Sequence, residues 1–321
     1  MSAPPSRIAI VGAGLVGRGW AIVFAQAGLE VAVFDASADI RATVPCEVSA
    51  SLRDMADADL LREAPEAIAA RITIHSALAA ALAECDYVQE SVFERLDVKA
   101  AIATEIAALL PPQAIVGSSS SGIPASHFTE RLAARDRFLI VHPVNPPHLV
   151  PVVELVPAPW TAPDTLARAR TLMQQVGQSV VTVNREIEGF VLNRLQGALL
   201  NEAWALFEAG YASAEDIDRT VRDGLGLRWA FMGPFETIDL NAPGGVADYA
   251  RRLGPLYHRI ARQRTAPQPW SDDLIARVEA ERRRRLPREK LAARGAWRDR
   301  RLMGLLAHRR RAAATDQQQD E

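Results

Sequence analysis

The stretch RIAIVGAGLVGRGWAIVFAQAGLEVAVFD, residues 7–35, constrains this chain more than any other. A run of isoleucine and valine reads as a buried strand, and Gly12, Gly14 and Gly17 follow it in G-x-G-x-x-G spacing at the start of a helical pattern. The first glycine permits a tight turn, the second lets backbone N–H groups approach a pyrophosphate, and the third allows close packing of helix on strand. Leu15 and Val16 line the turn through their backbone groups. The next apolar run ends in Asp35, about 20 residues on, where a carboxylate accepts hydrogen bonds from adenosine ribose hydroxyls and repels a 2′-phosphate. NAD is therefore expected rather than NADP. The competing reading, a glycine-rich turn without a ligand, does not explain why strand, glycines, helix and acid stand in register.

The same alternation continues to about residue 185. Apolar runs RIAIVG, EVAVFD, RITIH, YVQES, AIVGS, RFLIVH, PVVELV and SVVTV are separated by stretches rich in alanine and leucine. This is the pattern of a doubly wound, mainly parallel sheet covered on both faces. Beyond NREIEGF the strand-like runs disappear and helical patterns extend to the end. A chain of 321 residues favours two domains. The expected fold class is α/β, with a Rossmann-type dinucleotide-binding domain at 1–185 and an all-α domain at 186–321 that ends in a helical extension. GFVLNRLQGALLNEAWALFEAG is apolar almost all round, so it is expected to be buried between domains or in a subunit interface. The extension after Trp270 is expected to wrap a partner or close the substrate cleft.

Hydrophobic residues make up 49% of the chain and charged residues 24%, and the net charge is -2. That balance excludes a disordered chain and gives no general affinity for nucleic acid. The basic tracts ERRRRLPREK and HRRR read as solvated helix faces, with no aromatic platform for a single strand. Cys46 and Cys85 are the two cysteines, too few for a disulfide framework and without metal-ligand spacing. No metal site is expected. The N-terminus lacks the apolar core of a signal peptide, and no apolar run approaches a membrane span. The expectation is a soluble, cytoplasmic protein with reduced thiols.

HPVNPPHLVPVVE, residues 142–154, places His142 at the end of a predicted strand, the edge where ligands sit in open α/β sheets. Prolines stiffen the loop on either side of Asn145. The alternation of PVVELV puts Glu154 on the face opposite Val153 and Leu155. Upstream, IVGSSSSGIP ends another strand in serines, and Asn193 interrupts an apolar helix in GFVLNRLQ. Taken singly, His142 reads as a structural histidine, Asn193 as an interhelical hydrogen bond and the serines as a flexible turn. Together they suggest a site.

In GAGLVGRGWA, VQESVFERLDVK, SSSSGIP, HPVNPPHLVPVVELVP, GFVLNRLQ, GLGLRWAFMGPFET and LAARGAWRDRRLM, the chain resembles the 3-hydroxyacyl-CoA dehydrogenase family, more closely its lambda-crystallin or L-gulonate 3-dehydrogenase branch. The resemblance runs over nearly the whole chain. It implies His142 as catalytic base, Glu154 as its carboxylate partner, and Ser121, Asn145 and Asn193 as groups contacting substrate. It also implies Glu94 and Lys99 as cofactor neighbours, and a homodimer formed through the helical half. The residue types suit that chemistry on their own terms. Hydride transfer from a secondary alcohol needs a base for the hydroxyl proton, and Ser121 and Asn193 can donate hydrogen bonds to the oxygen on which charge develops.

The substrate is less constrained. Residues 41–71, where the acyl-CoA enzymes place a helical hairpin against the thioester, hold four arginines against six acids, a poor surface for the phosphates of coenzyme A. This agrees with the closer resemblance to the hydroxy-acid branch, which implies a small L-gulonate-like substrate, with Arg228 anchoring its carboxylate through a guanidinium fork or, alternatively, serving an interdomain salt bridge. The resemblance extends to L-carnitine dehydrogenases, which makes L-carnitine the next candidate; Trp229 and Phe231 beside Arg228 suit a quaternary ammonium and equally suit a core. A coenzyme A thioester and a non-catalytic, crystallin-like NAD-binding protein complete the alternatives.

Overall fold

The computed structural model describes residues 7–263 and 269–319, with side chains to residue 312. All eight expected strands form and join one sheet in the order β3-β2-β1-β4-β5-β6-β7-β8. They are β1 (Arg7–Val11), β2 (Glu30–Phe34), β3 (Ile72–His75), β4 (Tyr87–Glu90), β5 (Ile115–Ser118), β6 (Phe138–Pro143), β7 (Val152–Pro157) and β8 (Ser179–Thr182). The first six run parallel. β7 turns back antiparallel to β6, and β8 lies parallel to β7.

The period-two geometry of a strand divides the core between the two sheet faces. Ile8 and Ile10 pack on one face with Trp20 and Phe24 of the first helix (Leu15–Gln26) and Leu52 of the second (Ala38–Asp57). Ala9 and Val11 pack on the other with Val88, Val116 and Ile140. Both faces are covered, which is why the strands read as continuous apolar runs rather than alternating ones.

The chain divides into two compact units, one formed from Met1–Leu195 and Ala293–Glu321, the other from Gln196–Ala292. This differs from an expected boundary at 185 with everything after it in a second domain. Much of the last helix (Leu291–Gln319) returns to the first unit. Met303 and Ala307 are buried in the same core cluster as Trp20, Leu302 and Leu306 pack against it, and Arg310 Nη1 donates to the carbonyl of Leu60 at 2.9 Å. The reason was present in the sequence but hidden: positions 302, 303, 306 and 307 make a narrow apolar stripe at helical spacing within a segment dominated by arginine.

The second unit is helical. Trp204 stacks on Trp270 with ring centroids 4.4 Å apart. Its basic tract is partly paired, since Arg282 and Arg285 reach Glu215 at 3.7 and 3.5 Å and Arg288 reaches Glu279 at 3.0 Å. Thr237, Ala242 and Leu274 are the buried residues described in this unit. The helix Leu192–Glu208, expected to be buried, has no buried residue in the single chain. Among the described residues no helix is long and apolar enough to cross a membrane.

Candidate active site

The turn after β1 shows why glycine is needed at two of its three positions. Gly12 adopts a φ of +96°, and a Cβ there would lie 2.6 Å from the carbonyl oxygen of Ser91. A Cβ on Gly17 would lie 1.8 Å from the carbonyl oxygen of Gly12, so the helix packs against the turn only with glycine at 17. Gly14 is different, since a Cβ on it would meet nothing within 4 Å. Its open side leaves backbone N–H groups at the helix start free to face a pyrophosphate. Asp35 accepts from Ala13 N at 2.8 Å and from Ser37 N at 2.9 Å, tying the end of β2 to the glycine turn. These residues fit a bound dinucleotide, with Gly12, Gly14, Leu15, Val16 and Gly17 around the phosphates and Asp35 at the ribose.

His142 and Glu154 face each other directly across the antiparallel pair β6–β7. Nδ1 of His142 lies 2.8 Å from Oε2 of Glu154, and both residues are buried. The other carboxylate oxygen, Oε1, accepts from Val191 N at 2.8 Å and Leu192 N at 2.9 Å, the first amides of the helix that carries Asn193. Burial alone would raise the Glu154 pKa, but the His142 hydrogen bond and the Leu192 and Val191 amides outweigh it and hold the carboxyl below its usual range. An ionised carboxylate accepts only, so the imidazole donates to it from Nδ1 and turns Nε2 away from Glu154. Phe190, buried and at a φ of 49°, lies with its ring 5.6 Å from the imidazole.

The serine turn after β5 is bound into the same structure. Asn193 Nδ2 donates to the carbonyl of Ser121 at 2.6 Å. Glu94 Oε1 accepts from Ser120 Oγ, Ser121 N and Gly122 N at 2.7, 2.8 and 2.9 Å. Lys99 is 1% exposed and directs Nζ to Glu90 at 3.1 Å and to Glu94 at 3.4 Å. Of the residues expected at the site, His142, Glu154, Asn193, Ser121, Glu94 and Lys99 are thus joined by direct contacts or successive backbone positions. Asn145 is exposed in the loop between β6 and β7, three residues past His142. Arg228 is exposed on a short helix, Gly226–Trp229, of the other unit.

Sequence reasoning overlooked Glu90, a buried carboxylate at the carboxyl end of β4 that accepts from Val92 N at 2.7 Å and from the Ser118 hydroxyl. It also overlooked Gln89, whose Nε2 donates to Ser119 Oγ at 2.8 Å and to the carbonyl of Val141, beside His142, at 3.3 Å. The signal was present in YVQES, where two polar residues occupy the end of a central strand and need partners once buried.

A dinucleotide loop and a carboxylate-held histidine on one sheet edge define an NAD-dependent dehydrogenase acting on a hydroxyl group. The comparisons agree. The NAD binding domain of 3-hydroxyacyl-CoA dehydrogenase matches residues 7–187, and the C-terminal domain of 3-hydroxyacyl-CoA dehydrogenase matches residues 189–285. The chain belongs to the 3-hydroxyacyl-CoA dehydrogenase family. It is 40% identical to a lambda-crystallin homolog of Bos taurus over 95% of this chain and 96% of that one. It is 37% identical to an L-carnitine dehydrogenase of Streptomyces coelicolor over 78% of each chain. Among solved structures, 5-formyl-3-hydroxy-2-methylpyridine 4-carboxylic acid 5-dehydrogenase, an NAD+ dependent dismutase, superposes with a TM-score of 0.79 at 27% identity, covering 94% of this chain and 97% of that one. The family models meet within two residues of one another near 188, and the C-terminal helix that returns to the first unit lies beyond both.

Proposed function

We propose that the protein oxidises the 3-hydroxyl of a small, L-gulonate-like hydroxy acid to the 3-keto acid. The observation that carries this reading is the 2.8 Å contact of His142 Nδ1 with Glu154, which leaves Nε2 as the proton acceptor. His142 Nε2 takes the hydroxyl proton as the C–H bond breaks, and ionised Glu154 stabilises the resulting imidazolium. NAD, when bound, supplies the acceptor for the hydride. Ser121 and Asn193 donate hydrogen bonds to the substrate oxygen, and Asn145 contacts the substrate from the loop.

A free acid is favoured over a coenzyme A thioester because the arginines of residues 41–71 are partly committed. Arg41 Nη1 donates to the carbonyls of Asp35 and Ala36 at 2.6 and 3.1 Å, and Arg71 Nη1 donates to that of Ala25 at 2.9 Å and pairs with Glu63. L-Carnitine is the second reading, supported by Trp229 and Phe231, which are 41% and 57% exposed beside Arg228. A purely structural, crystallin-like role does not account for an intact acid–base pair. The working form is a homodimer. Tyr211, Leu227, Phe235 and Leu240 of the second unit are each at least 65% exposed in one chain, which supports burial against a second copy. Free Cys46 and buried Cys85, whose thiol is pushed up to about 12 by burial and by neighbouring Asp86, suit a cytoplasmic setting.

The test is NAD reduction by the purified protein with L-gulonate, L-carnitine, 3-hydroxybutyrate and 3-hydroxybutyryl-CoA side by side, with light scattering for mass. Turnover of a free acid over the thioester is expected. Preference for the thioester overturns the substrate assignment, and a monomer overturns the assembly.

A further inference from the structure

The resemblance to the family makes Glu94 a cofactor neighbour, and one oxygen of its carboxylate is already occupied by the protein. An oxygen has two lone pairs, and Oε1 already faces four donors: Ser120 Oγ, Ser121 N, Gly122 N and, at 3.4 Å, Ile123 N. Oε2 faces the Lys99 ammonium, which is itself held by buried Glu90. Three successive amides pointing at one oxygen form an anion nest, filled here by a side chain from a different loop.

We propose that Glu94 is a positioning residue for the substrate: its carboxylate, steadied by Lys99, folds the Ser120–Ile123 turn so that Ser121 presents its hydroxyl to the substrate oxygen. Both backbone groups of Ser121 are claimed by distant residues, its N–H by Glu94 at 2.8 Å and its carbonyl by Asn193 at 2.6 Å. With the main chain pinned at both ends, only the Ser121 rotamer remains free. The pinning continues to the acid–base pair, because Leu192, next to Asn193, donates to Glu154, and Glu154 holds His142. A displaced turn therefore shifts the hydroxyl relative to the proton acceptor, and misplacement of about 1 Å costs roughly 10²-fold in rate. The position of Glu94 below the usual carboxylate range agrees with this use: burial would raise it, and Ser120, Gly122, Lys99 and Ser121 together more than reverse that.

This inference rests on the reading of Ser121 as a substrate contact, so the experiment separates the two. Glu94→Ala, Glu94→Gln, Ser120→Ala and Ser121→Ala are compared with wild type by NADH fluorescence titration, by steady-state kinetics on the best hydroxy acid, and by amide hydrogen exchange of the segment 119–125. For Glu94→Ala, the NADH Kd stays within about twofold, kcat/KM for the acid falls roughly 10- to 100-fold, and exchange in 119–125 accelerates. Glu94→Gln keeps a carbonyl oxygen for the nest and recovers part of the loss. If Glu94→Ala does not fold, Glu94→Gln and Ser120→Ala show the same pattern at smaller amplitude. A tenfold weaker NADH Kd with kcat retained makes Glu94 a cofactor contact and overturns the proposal, as does unchanged exchange. Full activity in Ser121→Ala instead overturns the site reading and the proposal with it, whereas an impaired Ser121→Ala beside an unimpaired Glu94→Ala removes the positioning role alone.

Discussion

Glu154 bridges His142 and the helix that carries Asn193. One carboxylate oxygen lies 2.8 Å from His142 Nδ1, and the other accepts from Val191 and Leu192 N–H. The residue that holds the histidine ring also holds the entry of the following helix, so the proposed acid–base pair and a proposed substrate contact share one anchor.

That arrangement separates chemistry from binding. Replacing His142 by Gln removes the proposed proton acceptor and leaves the glycine turn and Asp35 untouched. NADH affinity is expected to stay near that of wild type while turnover falls by a factor on the order of 10² to 10⁴. Fluorescence titration and initial rates check both halves, and a large loss of NADH binding with turnover retained means that the base is elsewhere.

Two glycines three residues apart are expected to fail in opposite ways. Gly14 has a φ of -64° and open space where a Cβ would go, so Gly14→Ala folds with a melting temperature near that of wild type but crowds the phosphates and weakens NADH. In Gly17→Ala the new methyl meets the Gly12 carbonyl, and the protein is destabilised without any ligand, by roughly 1–3 kcal/mol or more. Thermal melts with and without NADH distinguish the two; equal melting temperatures for both variants contradict the geometry.

His148 makes a prediction about acid. Its pKa is lowered from 6.5 to about 4 by burial, with Asp299 of the C-terminal helix acting in the opposite sense, and its Nδ1 is buried with no hydrogen-bond partner among the described residues. The folded protein binds this proton less readily than the unfolded chain, so the contribution is complete above the unfolded value and declines as pH drops from about 6.5 toward 4. Its size over that window is on the order of 3 kcal/mol. Denaturant titrations across this range are expected to show a steeper acid loss for wild type than for His148→Leu. Parallel curves would contradict the assignment.

Much of the fold is legible in the sequence. Eight apolar runs became eight strands, because a parallel sheet covered on both faces demands such runs. The glycine spacing and Asp35 identified the dinucleotide loop because steric and hydrogen-bonding demands there are local. His142 stood out at the end of its strand for the same reason. The second half was harder. A single chain leaves the Leu192–Glu208 helix without a buried residue, and the apolar stripe of the C-terminal helix was obscured by its arginines.

The sequence by itself determined which segments become strands, and it marked the glycine turn and His142 as candidates for the site, since these follow from spacing within a few residues. Only the tertiary structure decided that β7 pairs antiparallel with β6 and sets Glu154 opposite His142. Only it decided that Glu94 closes on a turn 27 residues away, and that residues from 293 onward return to the first unit. Those outcomes depend on register and on the satisfaction of buried polar groups between segments distant in sequence, and no local pattern specifies them.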